Sequence, residues 1–362
     1  MNIPLFDLSR QHKRHALALL KAYQRVLGRG RFILDEEVAR FEQEFAAAFG
    51  ARYAIGVASG TEAIALALKA SGLEPGDEVI VPANSLPTVF AVTMAGLTPR
   101  LADVERVSGL LSSEQVQKRL TKKVKAMIAV HLYGNVCDLG ALSKLARQAN
   151  LVLVEDCAQA TGALWRKHFV GTVGEVGCFS FYPTKNLGAL GDGGAIITNS
   201  KSLNERVRQW RMYGERTRYV SILAGWQSRL DELQAAFLRV KLPYLAQWVA
   251  RREELLSIYE NGLARSPLQF LKTPAGTTRA PHLAIVLSSR RGALGQYLAQ
   301  KGIATGIHYP TPIHHQKAFA HLSAGQFSEA EYLSKTILSL PLYPELTNSE
   351  VRYIIQAIRT FV

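Results

Sequence analysis

Gly177-Cys178-Phe179-Ser180-Phe181-Tyr182-Pro183-Thr184-Lys185-Asn186-Leu187-Gly188 is followed by Gly191-Asp192-Gly193-Gly194 and then by Ala195-Ile196-Ile197-Thr198. Two β-rich runs, 178–182 and 195–198, enclose a lysine set among aromatic residues and glycines. Most loop lysines lie in water and do nothing chemical. Desolvation by such neighbours would instead lower the amine pKa and make Lys185 a nucleophile toward a carbonyl. Ser180, at the end of the first run, offers a hydroxyl to a phosphate.

Outward from this stretch the chain alternates. Further β-rich runs occur at 53–58, 78–82, 125–132 and 151–155, and helical patterns at 61–72, 113–120, 139–149 and 200–213 separate most of them. Such alternation predicts an α/β fold, a large domain whose mostly parallel mixed sheet is flanked by helices. Ligands of these sheets sit at the carboxyl ends of the strands.

Two other motifs fall at such ends. Ala58-Ser59-Gly60-Thr61-Glu62-Ala63 leads from a strand into a helix. A helix N-terminus presents unpaired N–H groups and partial positive charge, which suit a phosphate, although a plain helix cap reads the same way. Leu151-Val152-Leu153-Val154-Glu155-Asp156-Cys157-Ala158-Gln159 is a buried strand ending in two acids. An acid there can pair with a protonated ring nitrogen and keep it charged. An imine-forming lysine, an acid for a pyridine nitrogen and phosphate donors are together what pyridoxal 5′-phosphate (PLP) needs.

Before the alternation, helices are expected at 9–28 and 35–49, the second ending at Gly50. After it, a long helical pattern over 228–260 is broken at Pro243, and 262–281 is rich in Pro, Gly, Thr and Ser. A strand at 282–288 and helices at 291–301 and 328–339 then suggest a second unit. The expected division is a large PLP-binding domain, 1–245, and a smaller C-terminal α/β domain, 246–362.

The 362 residues carry a formal charge of +14 at neutral pH. The basic residues are scattered (Lys122, Lys123, Lys125; Arg206, Arg208, Arg211), without a recognised nucleic-acid motif, so no nucleic-acid partner is expected. No membrane span and no secretory signal are read, and Cys137, Cys157 and Cys178 form no C-x-x-C pair. The expectation is a cytoplasmic protein with reduced cysteines and no metal.

The sequence resembles the PLP-dependent sugar aminotransferases of the DegT/DnrJ/StrS family, within the aspartate aminotransferase fold type. The likeness runs nearly end to end, through Ile3-Pro4-Leu5-Phe6-Asp7, Ser59-Gly60-Thr61-Glu62-Ala63, His131-Leu132-Tyr133-Gly134, Glu155-Asp156-Cys157-Ala158-Gln159, Ser180 to Asn186, Ser228-Arg229-Leu230-Asp231 and Gly306-Ile307-His308-Tyr309-Pro310. The resemblance implies that Lys185 and Asp156 are catalytic, Lys185 as the Schiff-base lysine and Asp156 as partner of the pyridine nitrogen. It implies that Gln159 bonds the ring hydroxyl, Ala158 packs under the ring, and Gly60, Thr61 and Ser180 hold the phosphate. Arg229, His308 and Tyr309 are implied at the substrate. A homodimer with shared sites, glutamate as amino donor and a nucleotide-linked keto-sugar as acceptor follow in the same way, the cofactor alternating with its pyridoxamine form. An aminocyclitol acceptor, or a non-enzymatic PLP-binding regulator, is the alternative.

Two departures stand out. Gln227 replaces the Asn that in the family reaches the partner subunit's phosphate. In Asn84-Ser85-Leu86-Pro87-Thr88 the segment is one residue short and lacks the aromatic that stacks on the ring, leaving Leu86 or a neighbour to cover it.

Overall fold

The computed structural model describes residues 2–362. Seven strands make the central sheet: β1 (Tyr53–Val57), β2 (Glu78–Pro82), β3 (Thr98–Ala102), β4 (Val124–Val130), β5 (Val152–Asp156), β6 (Val176–Ser180) and β7 (Gly194–Thr198). Their order is β1-β7-β6-β5-β4-β2-β3. All pairings are parallel except those of β7, which runs against both β1 and β6. This is the mostly parallel mixed sheet expected from the alternation. Strands β4, β5 and β6 read as near-continuous apolar runs because helices cover both of their faces. Every parallel strand therefore ends on one edge, and β7 begins there.

The helix Gly60–Ala70 lies against β1, β5, β6 and β7. Its N-cap Ser59 accepts from the Glu62 N–H at 3.2 Å, a contact worth about 1 kcal/mol. The helix Glu36–Phe49 presents Phe41, Phe45 and Phe49 at four-residue spacing. Phe45 meets the Phe179 ring at 5.2 Å, and Phe41 meets Phe181 at 5.4 Å, both edge-on. One aromatic cluster thus anchors the end of β6, just ahead of Lys185.

A second hydrophobic cluster gathers Leu255, Tyr259, Val286, Leu298, Leu340 and Ile354 around a small sheet of Gln269–Phe270, Ala284–Leu287 and Ile337–Leu340. The division expected near residue 246 falls at the start of the helix Leu245–Leu263. Leu245 of that helix joins the first cluster and Leu255 the second.

Some elements differ from the expectation. The long helical pattern does break at Pro243, but the break takes the form of a 3₁₀ turn, Leu242–Tyr244, where a missing N–H is tolerated, between Glu232–Lys241 and Leu245–Leu263. Residues 337–339, expected as helix, are strand, because Ile337–Leu340 pairs with Ala284–Leu287. Strand β3, the helix Leu86–Met94 and the final helix Asn348–Phe361 come in addition. No described helix is long and apolar enough to cross a membrane. The three cysteines are free and buried.

Candidate active site

The sheet edge where the parallel strands end opens into a cavity of about 410 Å³. Its walls include Gly60, Thr61, Asp156, Ala158, Gln159, Ser180, Lys185, His308 and Tyr309. Nine of the expected site residues, from distant parts of the chain, therefore meet in one place.

Asp156 and its neighbour Glu155 point to opposite sides of β5, as strand geometry requires. Glu155 is fully buried and accepts from the N–H groups of Gly171, Val173 and Gly174 at 2.7–2.8 Å. His131 completes the set: its Nδ1 accepts from Cys137 N–H, so its Nε2 carries the proton given to Glu155 at 3.1 Å. With both ring nitrogens engaged, His131, Glu155 and Cys157 form a folding knot with no lone pair on the imidazole left for a metal.

Asp156 instead reaches the cavity. Thr88 Oγ1 donates to its Oδ2 at 2.8 Å, and the Ala158 N–H to its Oδ1 at 3.1 Å. Thr88 is in turn 2.8 Å from Ser85 Oγ. Burial pushes the Asp156 carboxyl up, opposed by these hydrogen bonds and by Lys185. A cationic partner in the cavity would reverse that shift.

Lys185 is part-buried, and burial lowers its amine to about 8, against the pull of Asp156. The loop that carries it is pinned from several sides. Phe181 N–H donates to Gly193 O and Ala189 N–H to Phe181 O, both at 2.8 Å. Asn186 Nδ2 donates to Ala280 O at 3.0 Å, and Lys241 Nζ to Gly188 O at 2.8 Å. Gly188 is obligatory, since a Cβ there would meet Pro183 O at 2.2 Å.

The lowered amine has a sign for stability. Lys185 holds its proton less tightly folded (about 8) than unfolded (10.5). The native state without cofactor is therefore fully penalised below pH 8, and the penalty fades as pH rises toward 10.5, by at most about 3 kcal/mol. Denaturant unfolding of cofactor-free protein should show wild type gaining on Lys185→Met between pH 7 and 10. Equal pH dependence of the two proteins would contradict it.

The phosphate-type donors converge where β1 and β6 end. Ser180 Oγ accepts from Tyr182 N–H at 3.3 Å, which leaves its own proton to donate. A Cβ on Gly60 would stand 2.6 Å from Ser180 Cβ, so only glycine lets the first helical N–H groups and Ser180 address one anion. Gly60→Ala should weaken cofactor binding at least about tenfold by displacing this cradle; titration of cofactor-free protein with PLP, followed by absorbance, measures it, and unchanged affinity would refute the cradle.

Gln159 is oriented by the chain: Tyr133 N–H donates to its Oε1 at 2.8 Å, which turns its NH₂ toward Tyr309 OH, 3.5 Å away. Tyr133, at φ 64°, also donates its hydroxyl to His308 O at 2.6 Å. His308 Nδ1 lies 2.8 Å from Ser339 Oγ. Burial lowers the His308 imidazole and raises the Tyr309 phenol, so both are neutral at pH 7.

Residues 15–359 match the DegT/DnrJ/EryC1/StrS aminotransferase family. The chain belongs to that family. It is 39% identical, over the whole chain and 99% of the relative, to a protein of Geobacillus stearothermophilus named a pleiotropic regulatory protein. It is 40% identical, over 99% of the chain and 95% of the relative, to the dTDP-3-amino-3,4,6-trideoxy-alpha-D-glucose transaminase of Streptomyces venezuelae. The crystal structure of S. venezuelae DesV in complex with a ketimine intermediate superimposes with a TM-score of 0.97, at 40% identity, covering 99% of this chain and 98% of that one.

Two expected residues of this DegT/DnrJ/EryC1/StrS member stay outside the cavity. Gln227 is exposed and accepts from Tyr213 OH at 2.5 Å. Arg229 is part-buried, its Nη1 3.9 Å from Met212 Sδ. Within one chain neither faces Lys185. Conversely, Phe6, Ser85, Pro87 and His282 line the cavity although the sequence reading assigns them no role. Pro87, not Leu86, joins Asp156 among the cavity-lining residues; Leu86 lines a separate small pocket with Thr311 and Ile313.

Proposed function

We propose that this family member is a PLP-dependent aminotransferase that moves an amino group from an amino-acid donor, glutamate, to a nucleotide-linked keto-sugar. The observation that carries the reading is the single cavity in which Lys185, Asp156 and the Gly60–Ser180 cradle meet. The donor set fits PLP in charge and in kind: an acid buried without a cation of its own, an amine lowered to about 8, and an anion cradle that a Cβ would fill.

Bound there, the cofactor would supply an electron sink for carbon–nitrogen chemistry. The protein's share is positional. Asp156 would hold a protonated ring nitrogen, supported by Thr88 and Ala158. Gln159 would direct its NH₂ at the ring oxygen, and the Gly60–Thr61 turn with Ser180 would hold the phosphate. Lys185 would attach the cofactor and, once released as an amine near neutrality, carry a proton between carbon and nitrogen. His308 and Tyr309 would meet the substrates at the mouth. Loading the protein with PLP, converting it with glutamate and then offering dTDP- and UDP-linked keto-sugars tests the reading; a protein inert to all of them would favour the regulator suggested by one relative's name.

The reading includes a homodimer. The first helix and its sequel expose Leu17 (77%), Leu20, Leu27, Phe32 and Ile33, and the hairpin near Gln227 exposes Tyr219 (81%), Val220 and Ile222. Apolar surfaces of this extent suit burial against a second copy. Gln227 and Arg229, idle within one chain, would then serve the neighbour's cavity. Mixing inactive Lys185→Ala and Arg229→Ala proteins should restore activity to about a quarter of all sites, by the symmetry of a two-fold dimer; no recovery after proven exchange would contradict shared sites.

A further inference from the structure

His282 lines the cavity with Lys185, and nothing in the mechanism above uses it. Its backbone N–H donates to Tyr133 O at 3.0 Å. Its ring stacks on Phe6, centroids 5.9 Å apart and planes 19° apart. The residue is only 5% exposed, and its Nδ1 is enclosed without a hydrogen-bond partner.

Beside it is a second orphan. Arg252, from the helix Leu245–Leu263, is also buried; its Nη1 donates to Leu342 O at 2.7 Å and to His282 O at 3.4 Å, and its Nε has no partner. An enclosed donor or acceptor left unpaired costs about 1–3 kcal/mol. Positive charge from Arg252 close to the ring favours a lone pair over an N–H dipole on the enclosed, unpartnered Nδ1. The proton of the neutral imidazole is then on Nε2. Burial, with the positive charges of Lys185 and Arg252 nearby, keeps the ring neutral.

A neutral N–H donor beside Lys185 has a particular use. It can bind an uncharged oxygen without adding a cation next to an amine that must lose its proton to react. An amino-acid donor would call for a cation to meet its carboxylate, whereas a sugar ring carries hydroxyl and carbonyl oxygens. We propose that His282 is a substrate-positioning residue that donates its Nε2–H to an oxygen of the sugar, with Arg252 holding the tautomer and Phe6 the ring plane. The proposal rests on the sugar-aminotransferase reading above.

His282→Phe keeps the stack on Phe6 and removes the donor; His282→Gln keeps an N–H donor. Holoenzyme variants are compared by calorimetric binding of a dTDP-linked 3-amino sugar, by KM for the keto-sugar, by PLP affinity and by the rate of the glutamate half-reaction read from cofactor absorbance. His282→Phe should weaken sugar binding and raise the keto-sugar KM about tenfold, while PLP affinity and the glutamate half-reaction hold. His282→Gln should stay within about threefold of wild type. Should the Phe variant fail to fold, His282→Ala carries the same expectation. Unchanged sugar binding in the Phe variant overturns the proposal, as does equal damage to both half-reactions with no rescue by Gln, which marks a structural role. A wild-type holoenzyme that binds no nucleotide amino-sugar, yet forms its Lys185 adduct, overturns the sugar assignment itself.

Discussion

Lys185→Ala protein is expected to lose at least roughly 10²–10⁴-fold in turnover, the span that a positioned acid/base group contributes, with the loss of covalent attachment on top. Borohydride reduction of wild type followed by peptide mapping should place the cofactor on Lys185 and leave the variant unlabelled. The alternative lysine is identifiable. Lys241 is also buried and also lowered to about 8, but it spends itself on Gly188 O and lines no part of the cavity. An adduct on Lys241 or any other lysine would sink the assignment. The Ala variant should still bind PLP non-covalently, because the Gly60–Ser180 cradle and Asp156 are untouched.

Asp156→Asn should lower turnover on the order of 10²-fold, about 2.7 kcal/mol of transition-state stabilisation, because an amide cannot keep a ring nitrogen protonated. Stability should move the other way. Burial raises this carboxyl above its ordinary value, so in cofactor-free protein the charge opposes folding at neutral pH, an effect lost as pH falls through the raised value. Asn still accepts from Thr88 on its oxygen. Thermal unfolding of the cofactor-free variant should therefore match or exceed wild type. A variant that keeps near-normal single-turnover rates would remove Asp156 from the chemistry.

Much of this was legible along the chain. The Lys185 loop, the acid at the end of β5 and the Ser59–Thr61 turn are each local, a strand running into a polar residue, and the structure needs only to bring strand ends together. What escaped depends on distance. Thr88 matters only because it meets Asp156, 68 residues away, and no local pattern marks it. His282 and Phe6 reach the cavity from opposite ends of the sequence. Strand β3, Thr98-Pro99-Arg100-Leu101-Ala102, hides behind its proline and arginine, which an edge strand accommodates and a central one would not. The final helix did carry a local signal, the Thr347/Glu350 capping box. Gln227 and Arg229 remain unread within one chain because their surroundings are those of an exposed rim.

The pinned loop between β6 and β7 bears on how the protein behaves between encounters with its cofactor. Phe181, Gly188, Ala189 and Gly193 are tied by the protein's own hydrogen bonds, so the loop's order does not depend on an occupant. Its amides should then resist hydrogen–deuterium exchange nearly as well before cofactor arrives as after, and little ordering entropy remains to be lost on capture. Such a site can be emptied and refilled without passing through local unfolding, which makes the protein a receptive scaffold for cofactor analogues altered at the ring.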